Sequence, residues 1–220
     1  MKIYKPKALL SIFWLLSLIS SEVILPLKAQ VKWHEKLLDI NNIENIKTTS
    51  KEYKLLFIEA EKAEKEERIE DLLQIRREIL KIIKTDFGEE NKLTGFANLH
   101  LGSTYRILGE FKNAEIHYRK SIDIFSNKEQ PDFKALGDAK NSLGLLYSEK
   151  GLLSKAELLL EDALKLKEKI YGKNSIMLVT TLNNLGLVYK NQNLLNISEF
   201  NFRRALEILI KNKIFKSEMV

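Results

Sequence analysis

A chain of 220 residues with 45% apolar and 30% charged side chains is long enough for a sizeable core and too apolar to remain disordered. It has no cysteine, which excludes disulfides and thiolate metal sites, and its three prolines all lie outside the long periodic runs. The formal charge of +6 falls to +3 once the first 29 residues are set aside, and acids and bases alternate, as in EAEKAEKEERIED at 59–71. The basic stripe that nucleic-acid binding requires is missing, so no nucleic-acid partner is expected.

The chain opens on MKIYKPK, a short basic stretch, followed by the uncharged ALLSIFWLLSLI and then SSEVILPLKAQ. Pro26 stops any helix there, and Ala29 places a small side chain before Gln30. Basic, apolar and small-residue regions in that order make a secretory signal. Glu22 interrupts the apolar run and Leu27 is bulky where a small residue is preferred. Residues 8–27 are also long enough to span a bilayer, which leaves an uncleaved membrane anchor as the alternative. Either way the remainder is expected outside the cytoplasm, periplasmic or secreted. The predicted order is a signal peptide or anchor at 1–29, a linker or short helix at 30–50, and a repeat domain at 51–220.

The repeat is visible directly. HLGSTYRILGEFKNAEIHYRKSI recurs as SLGLLYSEKGLLSKAELLLEDAL and as NLGLVYKNQNLLNISEFNFRRAL. Leu101, Leu143 and Leu185 are 42 residues apart, as are Gly102, Gly144 and Gly186, and Tyr105, Tyr147 and Tyr189. The same spacing joins Ala114, Ala156 and Ser198, then Tyr118, Leu160 and Phe202, then Ser121, Ala163 and Ala205. One step upstream, Ala60, Ala63 and Leu72 stand in for Gly, Tyr and Ala, so a degenerate copy occupies 53–94 ahead of repeats at 95–136, 137–178 and 179–220. Leu182, Leu185, Gly186 and Tyr189 fall at i, i+3, i+4 and i+7, one face of a first helix. Ser198, Phe202 and Ala205 mark the inner face of a second. Glycine costs about 1 kcal/mol in a helix interior, so three in register imply a steric need. Gly186 and Ser198 should let the paired helices approach, with Phe202 beside them.

The pattern L-G-x-x-Y…A-x-x-x-[FY]…A resembles the tetratricopeptide repeat. The leading tryptophan of that repeat is Asn98, Lys140 or Leu182 here. A 42-residue unit carrying TLNNLGLVYKNQN…ALEIL and ALKLKEKIYGKNS looks like the kinesin-light-chain type, in an exported bacterial form, over residues 52–220. The resemblance implies an all-α superhelix of antiparallel helix pairs, a solenoid whose first helices line a concave groove. There is no N-terminal heptad coiled coil of the sort a motor subunit would use.

Catalytic constellations are not found, so no enzyme activity, cofactor or metal is expected. His34, His100 and His117 form no i, i+4 ligand pair and read as surface or packing residues. There is no phosphate loop, nucleophile elbow or thiol. Glu66–Glu67 and Glu161–Asp162 read as solvated helix surface. The NIS sequon at 196–198 is discounted because Ser198 fills a packing slot.

What remains is recognition. Beside the packing stripe, the face predicted to point into the groove carries Phe96, Leu99, Ser103 and Arg106 in the second repeat. It carries Asp138, Asn141, Leu145 and Ser148 in the third, and Thr180, Asn183, Leu187 and Lys190 in the fourth. Phe96, Leu145 and Leu187 would give apolar contact, while Arg106, Lys190 and Asp138 bring charge. A primary amide offers two donors and an acceptor, and the resemblance implies that asparagines matching Asn141 and Asn183 pair with the backbone of an extended peptide. Asn184 has no assigned role. The expected function is a non-catalytic scaffold binding a peptide or protein segment outside the cytoplasm. The alternatives are the repeat portion of a larger enzyme or signalling protein, or self-association through the C-terminal repeat.

Overall fold

The computed structural model describes residues 49–127 and 129–212; the predicted signal or anchor and nearly all of the predicted linker lie outside the described residues. The described residues from Tyr53 onward belong to one compact unit. Among the described residues, eight α-helices follow in chain order: α1 (Thr49–Lys65), α2 (Ile69–Phe87), α3 (Lys92–Ile107), α4 (Phe111–Phe125), α5 (Phe133–Glu149), α6 (Leu153–Tyr171), α7 (Val179–Asn191) and α8 (Leu195–Lys211). A 3-10 turn, Ile176–Leu178, leads into α7. Among the described residues there is no strand, and no helix is long and apolar enough to cross a membrane.

The turns between paired helices carry the period. Glu67, Gly109, Gly151 and Asn193, spaced 42 apart, all have positive φ (55°, 74°, 72° and 63°). In each turn the next residue's N–H bonds the carbonyl five back: Arg68 to Ala63, Glu110 to Tyr105, Leu152 to Tyr147 and Leu194 to Tyr189, at 2.8–2.9 Å. This is the Schellman closure, in which one left-handed residue satisfies the last carbonyls of a helix. The degenerate first copy keeps it although its Leu-Gly-Tyr core is gone. Glu66 and Glu67 therefore lie in a turn, not on the helix surface where the sequence reading put them. At the junctions between pairs, the side chains of Asn91 and Asp132 accept from the N–H of Leu93 and Ala135, capping α3 and α5.

Packing within each pair follows the glycine line. A Cβ added at Gly102, Gly144 or Gly186 would come within 2.6–2.8 Å of Tyr118, Leu160 or Phe202. Ser198 is fully buried and its Oγ donates to the Gly186 carbonyl at 2.7 Å, so the two helices touch as the spacing predicts. The main core runs without a break from Ala60 and Ala63 through Leu101, Leu143 and Leu185 to Tyr189. In the first pair, Arg76 takes the position of Tyr118. It is only 8% exposed and reaches Thr104 Oγ1 at 2.7 Å, the His100 carbonyl at 3.1 Å and Glu64 at 3.0 Å. Burial lowers its pKa, opposed by the Glu64 carboxylate. Hydropathy periodicity gives no sign of this arginine.

Neighbouring pairs are tied by a tyrosine clasp. Arg77 donates to Tyr105 Oη at 2.8 and 3.0 Å, Arg119 donates to Tyr147 Oη at 2.6 Å, and Tyr189 Oη donates to Glu161 at 2.9 Å, each across 28 residues. Tyr147 Oη also donates to Glu115 at 2.8 Å, and Lys150 bonds the other oxygen of that carboxylate at 2.8 Å. Lys150 first, with Tyr147 and Arg119 adding to it, holds the Glu115 carboxyl down to about 2 against the opposing effect of burial. The folded pKa thus lies below the ordinary 4.5, so this stabilisation is complete above pH 4.5 and is lost as pH falls toward 2. Thermal melts should therefore show the wild-type advantage over Glu115→Gln at pH 7 shrinking between pH 4.5 and 2.5. An advantage that does not change with pH would contradict the clasp.

Candidate functional site

Neighbouring first helices α3, α5 and α7 contact one another, whereas α4, α6 and α8 make no comparable contact between pairs. The first helices therefore lie on the inner side of the stack, and their non-core residues form one shared face. Leu145 and Leu187 stand 42 apart on it, Leu145 half-buried and Leu187 38% exposed. Thr180 and Lys190 are exposed, and Asn183 is half-buried between them. Asn183 Oδ1 is itself buried and has no hydrogen-bond partner among the described residues.

The remaining predicted residues are held within the fold. Arg106 Nη1 bonds Glu149 at 2.6 Å, tying α3 to α5. Asp138 is paired with the buried Lys167 at 2.7 Å inside its own helix pair. Phe96 packs its ring 4.7 Å from Phe125. Asn141 is only 9% exposed, and its Oδ1 accepts from Asn184 Nδ2 at 3.2 Å. That bond gives Asn184 a role the sequence reading missed: it links α5 to α7 across 43 residues. It also means that Asn141 and Asn183 do not present equivalent amides, because the oxygen of Asn141 is spent on the joint between repeats. The exposed part of the face is concentrated on α7 and the adjoining Leu145.

Residues read from sequence as solvated or unassigned turn out to tie helices together, within a pair or between pairs. Glu161 accepts from Tyr189, and Asp162 accepts from Lys140 at 2.9 Å. Asn98, at the missing tryptophan position, is buried, donates to the Thr94 carbonyl and bonds His117 Nδ1 at 2.8 Å. His117 stacks on Tyr105, and burial pushes its pKa down to about 4. It is a packing residue, as expected. Among the described residues no group of three His, Asp or Glu side chains could hold a metal ion.

A solenoid of antiparallel helix pairs with a shared first-helix face defines an interaction scaffold. Residues 136–211 match the family model of the tetratricopeptide repeat, and residues 97–128 match a second model of the same repeat. The chain is a tetratricopeptide-repeat protein, of a class that mediates protein–protein interactions and whose fold is typically non-catalytic. Its fold is similar to that of BtubC (BKLC) from P. vanneervenii, with 21% identity over 92% of this chain and 80% of that one, TM-score 0.66. It is also similar to the apo form of RapI, with 19% identity over 79% of this chain and TM-score 0.66; the chain spans 61% of RapI. A third likeness is to the nearly identical TPR-like repeats assigned to a kinesin light chain of Podosopora anserina, with 13% identity over 96% and 99% of the two chains, TM-score 0.60. No curated protein matches the chain.

Proposed function

We propose that the chain is an exported scaffold that holds an extended peptide segment of another protein along the first-helix face, centred on α7. The observation that carries this reading is the buried, unpartnered Oδ1 of Asn183 beside the exposed Leu187. Buried polar atoms in folded proteins are nearly always hydrogen-bonded, so the half-buried Asn183 amide, its oxygen unpaired, gains a partner when a small side-chain rotation turns that oxygen toward a ligand N–H. Leu145 and Leu187 would cover apolar side chains of the segment, and Lys190 would meet an acidic group. The export half of the proposal rests on the basic, apolar and small-residue order of residues 1–29.

Replacing Asn183 with Ala should weaken capture of the natural partner about fivefold to tenfold, the loss of one net hydrogen bond, with the helical signal unchanged. Asn141→Ala serves as the contrast: it should loosen the α5–α7 joint and lower the melting temperature. Undiminished capture by the Asn183 variant would reject the assignment of the face.

A further inference from the structure

The tyrosine clasp has a fixed geometry. At the second and third junctions the hydroxyl meets a residue 28 positions back, and the residue three after the tyrosine meets an acid 35 positions back. Thus Tyr147 and Lys150 meet Arg119 and Glu115, and Tyr189 and Gln192 meet Glu161 and Glu157, with Gln192 at 2.7 Å. One step of 42 further on, α8 carries Glu199 and Arg203, the same acid–arginine pair as Glu115 and Arg119. They bond each other, Nη2 to Oε1 at 2.6 Å, and no tyrosine stands against them among the described residues. Leu206 continues the row of Leu80, Ile122 and Leu164, apolar residues that pack into the core at the filled junctions. Ile210, one turn on, is 59% exposed.

We propose that this end of α8 is a docking socket for a helix-pair repeat of another protein, whose first helix brings a tyrosine to Arg203 and Glu199. Three residues after that tyrosine it carries lysine or glutamine, which bonds the remaining oxygen of Glu199. The face continues three interfaces already formed within the chain, and its charges fix the partner's chemistry. A second copy stacked head to tail does not fit. Its first helix, α1, has Ala63 in place of the tyrosine, and three residues on it sets Glu66 against Glu199, an acid against an acid.

Two measurements test this. Appending a copy of residues 137–178 directly after Val220 keeps the 42-residue register and brings a tyrosine 28 residues beyond Arg203. The melting temperature should rise by at least about 4 °C. The gain should shrink with Arg203→Ala, and that substitution should have little effect once the appended tyrosine is phenylalanine. No gain, or no such coupling, overturns the socket. In the second measurement, the full chain bearing a benzophenone side chain at Ile210 is irradiated in extract of the source cells, with the same probe at the exposed Leu158 as control. The expected adduct maps to a first helix with tyrosine followed three residues later by lysine or glutamine, and falls at least fivefold with Glu199→Lys and Arg203→Ala together. The proposal is overturned by an adduct with a second copy of this chain, with residues 213–220 or with a segment lacking that tyrosine. An adduct indifferent to the substitutions, or no adduct above the control, overturns it as well. The Asn183 variant should leave this adduct unchanged, which separates the socket from the first-helix face.

Discussion

Replacing Phe202 with alanine is expected to destabilise the last helix pair by about 3–5 kcal/mol. The ring is nearly fully buried, and an atom added at Gly186 would sit 2.6 Å from it, so the two residues fit each other with no spare space. Emptying the ring's volume leaves a cavity that α7 cannot close, because Ser198 already fixes its distance from α8 through the Gly186 carbonyl. The opposite change, Gly186→Val, forces the ring aside and should cost about 1–3 kcal/mol by overpacking. Gly186→Ala should also cost stability, and Phe202→Leu should not relieve it, since a Cβ at Gly144 would already lie 2.7 Å from Leu160 in the third repeat. In a stack where each pair touches only its neighbours, damage at the end stays local. Urea titration of the Phe202 variant should therefore show two transitions, with α7 and α8 melting first. Tyr118→Ala, in the interior, should shift the whole transition. A single unshifted transition for both variants would contradict the packing.

Arg76→Ala should destabilise the first two pairs by about 2–4 kcal/mol, whereas Arg76→Met should stay within about 1 kcal/mol of wild type. The arginine stands where the other repeats place Tyr118, Leu160 and Phe202, and it bridges α1, α2 and α3 through Glu64, the His100 carbonyl and Thr104. Alanine removes three bonds and leaves a void. Methionine fills the space, Thr104 Oγ1 still donates to the His100 carbonyl at 3.2 Å, and Glu64 is left exposed enough to be solvated. Buried ion pairs are commonly replaced by apolar groups at little cost, while removing one partner is expensive. Glu64→Ala, which strands the arginine, should accordingly be worse than Arg76→Met. Chemical denaturation of the three variants checks the order, and equal losses for Arg76→Ala and Arg76→Met would assign Arg76 a purely electrostatic role.

The architecture was readable because its determinants are local or periodic. Gly186, Phe202 and Ser198 recur at one spacing, and a glycine repeated inside a helix has a steric explanation almost by necessity. The joints between repeats were harder to read, because they are built from polar side chains that hydropathy cannot place. Asn184 looks like a poor helix residue until Asn141, 43 residues away, is seen to accept its proton. Glu161 and Arg119 look like solvent-facing charges until a tyrosine hydroxyl arrives from 28 residues on. The clue lay in the period itself: Arg77, Arg119, Glu161 and Arg203 share a register, as the core residues do. The predicted groove face was legible as a stripe, but the stripe did not reveal that Arg106, Asp138 and Asn141 are held by Glu149, Lys167 and Asn184.

The central claim is that α7 and Leu145 hold an extended segment of another protein. It is tested most directly by placing a photoreactive side chain at Leu187 of the full chain, irradiating in the native compartment and mapping the adduct by mass spectrometry. The account predicts one discrete segment of one extracytoplasmic protein, attached through residues in extended conformation, with yield falling about fivefold or more when Asn183 is alanine. Adducts scattered over many proteins and unaffected by Asn183→Ala, or confined to cytosolic proteins, would contradict it.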